Sequence, residues 1–205
     1  MNFLAKAVST LLHPLLMPLL IFSFICGFLP ELMRPLQADM FVPILSFIAL
    51  STLLAPCLLV LFMYKLNLVA TFNIADRNDR YIPQILSTLL YAMTTWFFYS
   101  RMPMVHTLFM LMGSMTLCMV CVTAINFFWK ISAHSAGIGG FCAFMLFASG
   151  NLPVPVFCTI GICCFLLSGC VLAARLYLHV HTLGQVCAGF ILGLAIATWG
   201  VSNIS

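Results

Sequence analysis

Long apolar runs broken by short polar segments set the rhythm of this chain. Between Lys6 and Glu31 lie 24 uncharged residues, between Asp39 and Lys65 lie 25, between Arg80 and Arg101 lie 20, and between Arg101 and Lys130 lie 28. A helix crosses bilayer hydrocarbon with about 20 predominantly apolar residues. These runs predict membrane helices over about 11–29, 41–64, 81–100 and 103–129. The next uncharged stretch, 131–174, has 44 residues, too many for one crossing. Gly150-Asn151-Leu152-Pro153-Val154-Pro155 divides it, because Gly and Pro end helices. Two helices are expected there, over about 133–149 and 154–177, and a seventh from 181 to about 202. Pro14, Pro18, Pro43 and Pro56 fall inside the first two helices. A membrane helix tolerates Pro, usually with a kink. No repeat or low-complexity tract divides the chain. The expectation is an all-α, polytopic membrane bundle of about seven transmembrane helices, forming one integral membrane domain over 1–205.

Composition strengthens this picture. The chain is 64% hydrophobic and 6% charged, with a mean hydropathy of +1.18. Soluble domains carry about 25% charged residues. Lipid must therefore solvate much of the surface. The run after Lys6 continues through Phe28 without a small-residue cleavage site, which reads as a first membrane helix rather than a signal peptide. The net charge of +4 comes with no basic run, so nucleic-acid binding has no support. Eight of the ten cysteines sit singly or adjacent in apolar runs, where Cys packs as a small hydrophobe. Cys118 and Cys121 form a C-x-x-C pair in mid-helix with no His, Asp or Glu nearby in sequence, and helix packing is again the reading.

The polar segments are unevenly shared between the two membrane faces. One is 65–83, with Asp76-Arg77-Asn78-Asp79-Arg80. A second is Lys130-Ile131-Ser132-Ala133-His134-Ser135, and a third is 175–182, with Arg175, His179 and His181. Two helices separate each from the next, and two crossings return the chain to the same side. All three thus converge on one face, with six of the eight basic residues and three of the five histidines. Topology alone enriches Lys and Arg on the cytoplasmic face. That accounts for Lys6, Lys65 and Lys130, but less well for Arg175, which adjoins a long apolar run. Ionisable residues at such depth are costly and are functional by default.

At these segments the sequence resembles the type 2 phosphatidic acid phosphatase superfamily, which includes the vanadium haloperoxidases. That family's third motif is Ser-Arg, five residues, His, three residues, Asp. Here Ala174-Arg175, five residues, His181, three residues, Gln185 is similar to it, with Ala for Ser and Gln for Asp. Its second motif is Pro-Ser-Gly-His, and Ile131-Ser132-Ala133-His134 keeps the Ser and His. Its first is Lys, six residues, Arg-Pro. Arg80 matches; Pro83 is displaced, Asn73 stands where the Lys would be, and Arg77 is a candidate substitute. The resemblance covers about residues 77–189 and implies a six-helix phosphatase-like core.

The resemblance implies a metal-independent hydrolase of a lipid phosphate that needs no cofactor. His181 would attack phosphorus and form a phosphohistidine, and His134 would protonate the leaving oxygen. Arg175, Arg80 and Arg77 would grip the non-bridging oxygens with forked donors. Ser132 and Lys130 would add to the phosphate site. Gln185, four residues beyond His181, shares its helix face and can orient it, but brings no negative charge. Either turnover suffers, or Asp76 or Asp79 supplies the charge. The bland reading of those aspartates is pairing with Arg77 and Arg80. Candidate substrates are phosphatidate, phosphatidylglycerol phosphate, a polyprenyl diphosphate or a lipid A type phosphate. The alternatives are a non-catalytic lipid-phosphate binder or transporter that retains the anion site, and a purely structural membrane protein. The expected location is the bacterial cytoplasmic (inner) membrane. Substrate, sidedness and oligomeric state stay open at this level.

Overall fold

The structure is a computed structural model that describes residues 2–67, 77–150 and 152–204; for residues 77–80 only the backbone is described. Among the described residues the regular structure is helical throughout. The helices are α1 (Asn2–Leu11), α2 (Met17–Phe28), α3 (Phe41–Ile48), α4 (Ala55–Lys65), α5 (Arg77–Arg101), α6 (His106–Phe128), α7 (Ala133–Ala148), α8 (Val154–Tyr177) and α9 (Leu183–Ser202). Five segments are long and apolar enough to cross a membrane: Asn2–Phe28, Ala38–Lys65, His106–Phe128, Val154–Tyr177 and Leu183–Ser202. The chain is an integral membrane protein. Its outer surface fits that solvent, since Phe128, Phe165, Leu166 and Ile191 are all exposed.

Two of the spans are irregular. In the first, Pro14 has no N–H to give the preceding turn and disfavours helical backbone at His13. His13 is accordingly extended, at φ −70° and ψ 139°. A 3-10 turn over Pro14–Leu16 follows, and α2 resumes at Met17. The break is a full interruption, more than the kink that the sequence predicts. In the second span, a π-helical segment over Ala49–Leu54 joins α3 to α4, with Pro56 in the first turn of α4. The 3-10 turn packs against this π segment, so the two irregularities meet inside the bundle.

Helix α7 packs closely along α9. Gly189, Gly193 and Ala197 recur every four residues along α9, a small-residue stripe of the kind that lets membrane helices approach backbone to backbone. A Cβ on Gly193 would run into the carbonyl of Ala136, and one on Gly139 into that of Phe190. Polar links tie α5 to α6: Thr88 to Thr123 at 3.0 Å, Thr95 to Thr116 at 2.8 Å, and Asn126 Nδ2 to Gln84 Oε1 at 2.9 Å. Helix α1 packs along α8. A small apolar cavity of about 60 Å³ lies between α2, α5, α6, α7 and α9, lined among others by Pro14, Tyr91, Gly140 and Gly193.

Candidate functional site

Each polar side chain of interest sits at a helix end, placed by local rules. Asn126 Oδ1 accepts from Ile131 N at 3.1 Å and so shapes the turn from α6 into α7. Ser132 caps α7, its hydroxyl oxygen accepting from Ser135 N at 3.3 Å and from Ser135 Oγ at 2.9 Å. This satisfies an amide that the first turn leaves open. Ser132 is fully buried, and its oxygen serves the helix. The expectation that it contacts phosphate thus meets a competing structural role. His134 follows within the first turn of α7.

Arg175 stands in the last turn of α8. The chain then reverses through His179, at φ 52° in the left-handed region, a common way to close a helix. His179 is exposed, whereas His181 is buried. Thr182 caps α9, and Gln185 completes a capping box by accepting from Thr182 N at 3.2 Å. The same Oε1 lies 3.2 Å from His181 Nδ1. A backbone N–H only donates, so the Gln185 atom facing Thr182 N is the oxygen. His181 Nδ1 must then donate to that oxygen. The neutral ring keeps its lone pair on Nε2, the form a nucleophile needs. Ser132 N also donates to Gln185 O at 3.3 Å, which clamps the start of α7 to the start of α9.

The three sequence-predicted residues Arg175, His134 and His181 are brought together. Arg175 lies close enough to His134 to act on it electrostatically, and so does His181. A fourth member, His13, was not among the sequence candidates. Its ring stands edge-on to His134, with centroids 4.9 Å apart at 84°, and it too feels the charge of Arg175. Ser9 completes the group: its carbonyl lies 3.1 Å from His134 Nε2, and its hydroxyl takes Arg175 Nη1 at 3.5 Å, a long hydrogen bond. The available signal was an ionisable residue beside a proline within an apolar run, which marks function by default. Among the described residues, no three His, Cys, Asp or Glu side chains come together as metal ligands would.

Lys130 is half-buried in the turn before α7. Arg77, Asp79 and Arg80 belong to the first turn of α5, and their side chains lie outside the described residues, as does the whole of Asp76. Cys118 and Cys121 are free thiols within α6.

Comparison with family models, with characterised proteins and with solved structures finds no match for this chain.

Proposed function

We propose that the chain is a membrane phosphatase that hydrolyses a lipid phosphate through a phosphohistidine intermediate. The observation that carries this reading is the cluster at one end of the bundle. There a guanidinium, Arg175, and an imidazole, His181, each lie within electrostatic reach of the imidazole of His134, and Gln185 sets His181 as the tautomer with its lone pair on Nε2. The site adjoins lipid-exposed helices, which suits a substrate whose tails stay in the bilayer. We further propose seven crossings, with α5 and the short α7 completing the five longer spans. The bacterial cytoplasmic membrane is the proposed location.

Phosphoryl transfer asks the protein mainly for positioning and charge stabilisation. His181 Nε2 attacks phosphorus as the bond to the leaving oxygen breaks, and His134 gives that oxygen a proton. Water then attacks the phosphohistidine, its proton passing to His134, and the P–N bond breaks. Arg175 neutralises the non-bridging oxygens, with Arg80, Arg77 and Lys130 as further cations. The N-terminal end of α7 favours an anion beside His134. No step calls on a metal.

One feature favours the non-catalytic lipid-phosphate binder instead: the neutral Gln185 cannot stabilise an imidazolium as a carboxylate does. Phosphate release from phosphatidate and polyprenyl diphosphate in mixed micelles, with chelator present, separates the two. The proposal expects turnover by the wild type and a loss of at least about a hundredfold in His181→Ala. Lipid-phosphate binding by the wild type with no turnover would establish the binder, and full loss of activity in chelator would overturn the metal-free scheme.

A further inference from the structure

We infer that the break in the first membrane helix belongs to the phosphate site, with His13 as a positioning residue that fixes which ring nitrogen of His134 carries its proton. The inference rests on the function proposed above, because it assigns the atom at which that reaction's proton moves.

Pro14 interrupts the first membrane span. By ending α1 at Leu11 it leaves Ser9 among the last four residues of a helix, whose carbonyls lack intrahelical partners. A continuous helix would bind the Ser9 carbonyl to the amide of residue 13. Here His13 is extended, and the Ser9 carbonyl faces His134 Nε2 at 3.1 Å. A carbonyl only accepts, so His134 Nε2 carries the hydrogen and its Nδ1 is the basic atom of the neutral ring. His13 holds this arrangement in two ways. Its Nδ1 accepts from Leu15 N at 3.3 Å and caps the 3-10 turn, which keeps the helix open. Its ring also packs edge-on against His134 at 4.9 Å. The hydroxyl of the buried Ser9 meanwhile receives Arg175 Nη1. One short segment of α1 thus orients both an imidazole and the guanidinium of the cluster.

With Nε2 committed to Ser9, proton traffic at His134 runs through Nδ1. In the first half-reaction His134 Nδ1 takes up the proton of the phosphomonoester monoanion, the His181 Nε2–P bond forms, the bond from phosphorus to the leaving oxygen breaks, and that proton passes from Nδ1 to the leaving oxygen. In the second, a water oxygen bonds to phosphorus, the P–N bond breaks, and one water proton passes by way of His134 Nδ1 to the released phosphate, which restores the neutral Nε2–H ring. Protons and electron pairs balance over the cycle.

The test is ¹⁵N NMR of histidine-labelled full-length protein in detergent micelles, with the His134 signal identified by its loss in His134→Gln. Orthovanadate affinity is measured in parallel. In the wild type, His134 is expected as the Nε2–H form. His13→Ala should mix the two tautomers and weaken orthovanadate about tenfold, as loss of a group that orients a functional histidine does. His13→Asn, which keeps an oxygen to cap Leu15 N, should restore both. An Nδ1–H His134 in the wild type would overturn the inference, even if His13→Ala fails to fold. So would a monodisperse His13→Ala with unchanged tautomer and affinity. A wild type that neither binds orthovanadate nor turns over would instead sink the phosphatase reading, while the tautomer still decides the role of His13.

Discussion

Gln185 serves two masters with one oxygen: it caps α9 through Thr182 N and holds His181 through Nδ1. Its spacing of four from His181 made the second contact legible in the sequence, because helical residues four apart share a face. The capping role was equally readable, since Thr three residues before Gln at the start of an apolar run is a helix-start signal. The Gln therefore has a structural use apart from chemistry. Glu at this position keeps the length and both acceptor contacts and adds the missing charge. Gln185→Glu is expected to raise kcat at least about tenfold, by stabilising the imidazolium form of His181. Gln185→Ala should lower kcat and cost about 1 kcal/mol of stability through the lost cap. Steady-state kinetics beside thermal unfolding check both. A Glu variant no faster than wild type would show that charge at this position does not limit turnover.

At the scale of elements, the apolar runs predicted most of the helix ends closely: 154–177 was expected, and α8 spans Val154–Tyr177. The reason is physical, since bilayer thickness and Gly/Pro punctuation leave little choice. Two features were hidden. Pro14 predicts a kink, yet a residue before Pro resists helical backbone, and at His13 this opens the helix altogether. The π segment at Ala49–Leu54 packs against that break, a long-range contact that the apolar pattern does not announce. The α7–α9 contact also positions the site, because it brings Ser132 and His134 beside His181 and Gln185. A side chain at Gly193 has nowhere to go but into the Ala136 backbone. Gly193→Val should cost about 1–3 kcal/mol or more and lower Tm together with anion binding. Gly169→Ala in α8, where an added Cβ meets nothing within 4 Å, should leave Tm within error. Equal Tm for the two variants would remove the close helix contact from the account.

For the whole molecule, counting crossings put the polar segments after α6 and α8 on one face, and the structure brings Arg175, His134 and His181 into one cluster there. Counting could not supply depth. His13 belongs to the same end of the bundle but was hidden within the first predicted helix, and only the packing of α1 along α8 shows Ser9 reaching Arg175. The proposed chemistry requires this cluster to act as one anion pocket. Orthovanadate titration of the purified chain in detergent, without divalent metal, tests that most directly. The wild type should bind, and Arg175→Ala and His181→Ala should each weaken binding at least about tenfold, roughly 1.4 kcal/mol. A wild type that does not bind orthovanadate, or variants that bind it as tightly as the wild type, would contradict the account.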